Sequence, residues 1–256
     1  MLVDDFGKYF DHVVLADGGV DSLKSLILKL AMRGRLVSTR EGGEPVEELL
    51  ARIAEERAAV IAKGQIREPD LLPAADEHDL EFELPSTWAT VRVGEIVTLE
   101  YGKNMPKANR DASGVVPVYG ANGPTGFHSE SLIETPCVIV GRKGSAGAVN
   151  VVLEHCWPTD VTYFVIPTGG LRLQFLAALL QSLSLPSLAK GIKPGLDRNE
   201  VYRLTVGLPP VDQQDRIMEK LEALRHMCDE IERTKNEIGV IDSQLAVSVA
   251  ANVLES

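Results

Sequence analysis

Cysteine and long apolar runs are scarce in this chain of 256 residues. Cys137, Cys156 and Cys228 fit a reducing cytosol better than a disulfide framework. No apolar run approaches the roughly 20 residues that a membrane span needs. The most apolar-rich stretch, Leu171–Leu185, is broken by Arg172, Gln174, Gln181, Ser182 and Ser184. Asp4 and Asp5 stand where a signal peptide wants positive charge, so the expectation is a cytoplasmic protein without an export signal.

The usual catalytic signatures are also missing. There is no G-x-x-x-x-G-K-[ST] loop to cradle nucleotide phosphates. Gly144-Ser145-Ala146-Gly147 resembles a nucleophile elbow, but Lys143 replaces its first glycine. No acid lies two residues before any lysine, so the D/E-x-K half of a common nuclease metal site is absent. Leu208-Pro209-Pro210-Val211 lacks the amide or carboxylate and the ring of an amino-methyltransferase loop. His155-Cys156 has no second close pair to complete a zinc site. The five histidines are scattered and read as surface or packing residues. These absences leave no expected catalytic residue, metal ligand or cofactor.

What is present is an uneven distribution of charge. The net charge is −11, which by itself argues against a nucleic-acid partner. Residues 84–207, however, hold eleven Lys/Arg and nine Asp/Glu, a net of +2. Residues 41–83 hold thirteen acids against four bases. The acid belongs to the flanks, and the middle is free to face phosphates.

Hydrophobic periodicity divides the chain into segments. Residues 1–64 read as helical, with Leu23, Ile27 and Leu30 on one face and Gly34 as a stop. Within them a second helix covers 44–63, with Val46, Leu49 and Ile53 in its stripe and Gly64 at its end. Residues 65–86 read as an acidic linker punctuated by Pro69, Pro73 and Pro85. Residues 87–210 read as a mixed, largely β domain. Its runs are Val91–Leu99, Val115–Tyr119, Cys137–Val140, Ala148–Leu153 and Thr162–Ile166, with one helix inserted near Leu171–Ser182. Residues 211–256 read as a long helix. Ile217, Leu221, Leu224, Cys228, Ile231, Ile238, Leu245 and Val249 recur at alternating steps of three and four, which makes a seam for another helix. Lys235 and Asp242 interrupt that register. The fold class expected is α+β, with helices flanking the β-rich domain and a coiled-coil-type spacer helix at the end.

The middle segment is dense in small, donor-rich turns. Tyr101-Gly102-Lys103-Asn104 ends a strand, and Tyr119-Gly120-Ala121-Asn122-Gly123 leads into Pro124. Gly141-Arg142-Lys143-Gly144-Ser145-Ala146-Gly147 follows the most apolar run, and Lys190-Gly191-Ile192-Lys193 lies near the end. Glycines permit close backbone approach, Lys and Arg neutralise phosphates, and Asn and Arg pair with base edges. Ordinary hairpin turns would account for these residues equally well.

In order and spacing these turns, with Trp88, Gly94-Glu95-Ile96 and Thr159-Asp160, resemble the recognition domain of type I restriction-modification specificity subunits. Leu208-Pro209-Pro210-Val211-Asp212-Gln213-Gln214 is similar to the junction where that domain enters its spacer helix. Phe10-Asp11, Gly18-Gly19-Val20, Ile27-Leu28-Lys29-Leu30-Ala31 and Gly34-Arg35-Leu36-Val37 resemble the family's N-terminal segment. The family usually carries two recognition domains, and residues 87–207 are not repeated here, so the expectation is a half-size or a truncated form.

The resemblance implies a non-catalytic subunit that reads double-stranded DNA at a bipartite site. It implies methyltransferase and restriction subunits as partners, with S-adenosylmethionine and ATP held by them and not by this chain. A homodimer through the long helix follows from a single recognition domain with one exposed seam. Its residues would be Ile217, Leu221, Leu224, Cys228, Ile231, Ile238 and Leu245. Lys103, Arg142, Lys143, Lys190 and Lys193 are the expected phosphate or base contacts. Asn104, Tyr119, Asn122 and Ser145 would read polar edges or shape the loops, and Gly120, Gly123, Gly144 and Gly147 would be turn glycines. Trp88 and Trp157 read as core residues. Two other roles stay open: a scaffold of a defence complex that binds protein rather than DNA, which the acidity favours, and an enzyme with an unrecognised site, which the missing motifs disfavour.

Overall fold

The computed structural model describes residues 14, 16–38, 43–64, 72–189 and 195–254, without the side chains of 77 and 239–254. By contacts the chain divides into two compact units, Met32–Met218 and a helical unit of Met1–Ala31 with Glu219–Ser256. The helices are α1 (Gly19–Met32), α2 (Val46–Ala62), α3 (Val93–Ile96), α4 (Leu173–Ser182), α5 (Arg198–Tyr202) and α6 (Val211–Leu254). The strands are β1 (Ala89–Arg92), β2 (Glu100–Tyr101), β3 (Val116–Gly120), β4 (Gly123–His128), β5 (Cys137–Gly141), β6 (Val149–Val152), β7 (Trp157–Pro158), β8 (Thr162–Val165) and β9 (Thr205–Leu208).

In the larger unit the strands form three sheets, ordered β1-β9, β2-β8-β5-β6 and β4-β3-β7. All pairs are antiparallel except β3 with β7. β5 is central and buried along its whole length, which explains why its sequence is continuously apolar instead of alternating. α4 packs on β5 and β6 through a face that buries Phe175, Leu176, Leu179 and Leu180. A second cluster gathers Ile133, Cys137, Ile139, Val152 and Cys156, with Tyr119, Leu132 and Phe164 against it. All three cysteines are buried and free.

α2 is fixed to the same unit by polar contacts. Arg52 donates to the Gly169 carbonyl (2.9 Å) and pairs with Glu44. Glu56 accepts from the Gly169 N–H (2.7 Å), and Arg57 donates to the Glu95 carbonyl (2.7 Å). Val46, Leu49 and Ile53 form the buried stripe, as the periodicity implies.

The run Val91–Leu99 is not one strand. β1 stops at Arg92 and the chain turns through α3. Glu95 accepts the Arg92 backbone N–H (2.9 Å), and Val93 N–H donates to the Leu204 carbonyl (2.9 Å). Gly94 lies so close to Leu72 and Tyr202 that a Cβ would come within 2.6 and 2.8 Å of them. A glycine and a capping acid broke the extended run, and tertiary packing fixed the turn.

In the helical unit the seam of α6 finds a partner inside the chain. Lys24 of α1 bridges Asp229 (2.7 Å) and Glu232 (3.2 Å) of α6. Lys235 donates to the carbonyls of Val14 and Ala16 (3.1 and 2.9 Å), so this interruption of the apolar register ties α6 to the backbone just before α1. Leu221 and Cys228 are buried, and Leu224 and Ile231 are half-buried. Met227 and Ile238 stay more than half exposed, at 55% and 54%. The side chains of Leu245 and Val249 lie outside the described residues. Ile217 is buried in the larger unit. The seam expected to await a second chain is thus covered in part by the first.

Candidate nucleic-acid interface

Four turns from distant parts of the sequence are bonded into one cluster in the larger unit. They follow β2 (Gly102–Asn104), β3 (Ala121–Asn122), β5 (Arg142–Ala148) and β7 (Thr159–Val161). The last is the hub. Its Thr159 donates through N–H and hydroxyl to the Tyr119 carbonyl (3.0 and 2.8 Å). Its Val161 carbonyl accepts the N–H groups of Arg142 (2.8 Å) and Lys143 (3.1 Å). Lys103 N–H reaches the neighbouring Pro158 carbonyl (3.0 Å). Gly102 presses against this turn closely enough that a Cβ would meet the Thr159 carbonyl at 2.2 Å. Backbone bonds of this kind hold loops in one geometry, which a recognition surface requires.

The side chains that the sequence singled out divide between surface and support. Lys103, Asn104, Asn122, Lys143 and Ser145 are exposed. Asn122 stands at the tip of the β3–β4 hairpin, between Gly120 and Gly123, which pair across it. Gly144 has positive φ and open space around it. Gly147 also has positive φ (+84°), and a Cβ there would come within 2.5 Å of the Pro186 nitrogen. Arg142 is half-buried and donates through Nε and Nη2 to the Asp160 carbonyl (3.1 and 2.8 Å). Tyr119 is half-buried, with its ring on the Cys137–Cys156 cluster and its carbonyl holding Thr159, so it shapes the turns. Burial pushes its phenol up from the ordinary value. Lys190 and Lys193 lie outside the described residues.

Two residues of the cluster were not singled out from sequence as contacts. Tyr101 is 48% exposed, and the guanidinium carbons of Arg142 and Arg198 lie 5.2 and 4.9 Å from its ring centre. The ring is braced below by Tyr163, centroids 5.1 Å apart. Burial, then the Tyr101 hydroxyl, raise the Tyr163 phenol well above its ordinary range, and its hydroxyl donates to the Leu196 carbonyl (3.0 Å). Tyr101 belongs to a turn motif visible in sequence. Arg198 has no local signal and reaches the site only because Lys143 pairs with Gly195 and Leu196 N–H donates to the Arg142 carbonyl (2.9 Å).

The tryptophans are both supports. Trp88 is buried. Trp157 is half-buried, donates to the Lys103 carbonyl (3.0 Å) and meets His128 edge-on at 5.4 Å. It braces the Gly102–Asn104 turn from within. Among the described residues no group of His, Cys, Asp and Glu could hold a metal ion. No described helix is long and apolar enough to cross a membrane.

Residues 85–238 match the type I restriction modification DNA specificity domain. The chain belongs to this family. Within it, the EcoAI specificity subunit of Escherichia coli is 26% identical over 253 residues, covering 88% of this chain and 43% of its own length. The EcoEI specificity subunit of Escherichia coli is 38% identical over 90 residues, covering 35% of this chain and 15% of its own. The chain therefore spans less than half the length of these curated relatives. A solved chain titled for complex assembly and conformational transition of the type I R-M system superposes with a TM-score of 0.56. It is 18% identical, over 88% of this chain and 54% of that one, and shares the fold. The four-turn cluster lies inside the matched span.

Proposed function

We propose that this chain is a non-catalytic specificity subunit that reads double-stranded DNA through the four-turn cluster. The observation that carries the reading is the convergence on one bonded platform of Lys103, Asn104, Asn122, Arg142, Lys143 and Ser145. Cations there meet phosphates, and amides and hydroxyls meet base edges. The curated relatives are named specificity subunits of type I restriction enzymes, which supports the same role here.

In this reading a methyltransferase subunit and a restriction subunit dock on the chain and are directed to a bipartite site. S-adenosylmethionine and ATP belong to those partners. Two copies pair through the helical unit, where Met227 and Ile238 of α6 and Leu26 of α1 are exposed. A two-fold pair of identical readers selects an inverted, interrupted sequence. The cytoplasm is where such a complex meets DNA.

The test is DNA binding by the chain assembled with a methyltransferase subunit, titrated with salt. Specific, strongly salt-dependent binding that survives competitor DNA supports the reading. Complex formation without any affinity for duplex DNA leaves the scaffold role instead.

A further inference from the structure

The Arg142–Tyr101–Arg198 group has an electrostatic peculiarity. Two permanent cations are held over one exposed ring. Arg142 spends two N–H donors on the Asp160 carbonyl, and Arg198 spends one on the Leu99 carbonyl at 3.2 Å. These acceptors are neutral. Among the described residues neither guanidinium forms an ion pair. Glu100, half-buried beside Tyr101, feels the charge of Arg198 without pairing to it. Elsewhere in the same unit arginines do pair with acids, as Arg52 does with Glu44, Arg92 with Asp79 and Arg172 with Asp215.

A guanidinium carries five N–H donors in a planar fork. Several remain on each of these arginines after the carbonyl bonds. The negative face of the tyrosine ring favours nearby cations and limits their rotamers. Holding two like charges together without a directly paired carboxylate is unfavourable, and an incoming anion relieves it. The planar fork suits phosphate oxygens.

We propose that Arg142 and Arg198, positioned by the ring of Tyr101, form a clamp for the sugar–phosphate backbone of duplex DNA. This rests on the DNA-reading function proposed above and assigns one contact, Arg198, and one positioning residue, Tyr101, that the turn motifs alone do not. The clamp fixes register and carries no sequence preference. The exposed Asn104, Asn122 and Ser145 of the neighbouring turns are left to read base edges.

The experiment measures binding of the full chain, assembled with a methyltransferase subunit, to a long mixed-sequence duplex by fluorescence anisotropy across a salt series, with circular dichroism to verify folding. Loss of one phosphate contact in Arg198→Gln lowers the magnitude of the log K against log salt slope by about 0.9. Arg198→Lys keeps the charge and restores that slope. Tyr101→Leu weakens binding while keeping the slope, because the charges remain but lose their fixed placement. An Arg198→Gln slope and affinity equal to the parent's overturn the clamp while leaving DNA reading intact. So does a folded Arg198→Lys whose slope is as reduced as that of Arg198→Gln. A parent protein with no salt-dependent affinity overturns the clamp and the proposed function together.

Discussion

Trp88 donates its indole N–H to the side-chain carbonyl of Gln213 at 2.8 Å, and both are buried. Gln213 passes the contact on, its amide donating to the Thr87 hydroxyl (3.0 Å). The next residue does the same work on the other side. Gln214 accepts the Arg172 backbone N–H (2.9 Å) and donates to the Pro209 carbonyl (3.0 Å), while Arg172 forms a two-pronged pair with Asp215. The first turn of α6 is thus fastened to the larger unit by buried amides. Arg172 opens the segment that leads into α4.

Gln213→Leu leaves the Trp88 N–H without a partner in a buried place. An unsatisfied buried donor costs about 1–3 kcal/mol. The midpoint of urea unfolding falls accordingly. A variant that also carries Trp88→Phe recovers part of the loss, since both polar partners are then gone. An unchanged midpoint in the single variant shows that water replaces the amide.

The paired change Arg142→Ala and Lys143→Ala weakens DNA binding and reduces its salt dependence. Each phosphate contact contributes about 0.9 to the slope. A salt titration of the complex with methyltransferase reads both quantities. Identical curves for parent and variant reject this turn as a contact.

Gly144 and Gly147 both sit at positive φ, yet they should respond differently to alanine. At Gly144 the methyl group meets open space, so only the left-handed backbone strain of about 1–2 kcal/mol applies. At Gly147 the methyl group also collides with the backbone at Leu185 and Pro186. Overpacking adds about 1–3 kcal/mol. Thermal unfolding should rank Gly147→Ala well below Gly144→Ala, and equal melting temperatures would count against the close approach.

Substitutions along α6 should separate folding from association. Leu221 is fully buried within its own chain, so Leu221→Ala lowers stability by about 2–5 kcal/mol. Met227→Asp and Ile238→Asp touch exposed positions and leave stability nearly unchanged. If the chain pairs through this face, light scattering reports monomers for these two while circular dichroism stays native. A dimer undisturbed by both moves the interface elsewhere.

The Lys24 bridge gives stability a defined pH dependence. Hydrogen bonds from Lys24 to Asp229 and then Glu232 raise the lysine to about 12 from 10.5. Its contribution is full below the unfolded value and disappears as pH rises through the folded one. Asp229 is lowered from 3.8, chiefly by the bond from Lys24, so its contribution is full above that value and disappears as pH falls. The parent therefore exceeds Lys24→Met in stability across the neutral range, by a modest margin because the pair is exposed. The difference closes in acid and at high salt. A gap that persists below the titration of Asp229 assigns the effect to packing of the lysine stem instead.

The long helix, α2, the buried strand β5 and the inserted helix α4 follow from periodicity and apolar runs, because each is set by neighbours within a few residues. So do the turn segments and the family membership they signalled. The break of Val91–Leu99 into β1 and α3 was not legible, since it depends on Leu72 and Tyr202 closing over Gly94 and on the Leu204 carbonyl accepting the Val93 N–H. Nor was the partner of the α6 seam. A heptad pattern states that a helix face must be covered, and only the folded chain shows that α1 covers part of it. The same limit applies to the candidate interface. Sequence marks Tyr101 and Arg142 as members of two turns, but a cation reaches a ring through space. Arg198 arrives beside them only because Gly195 bridges to Lys143 and the Leu196 N–H donates to the Arg142 carbonyl. Local chemistry was written along the chain, and the assembly of charges around Tyr101 was decided by contacts between segments that the linear order keeps apart.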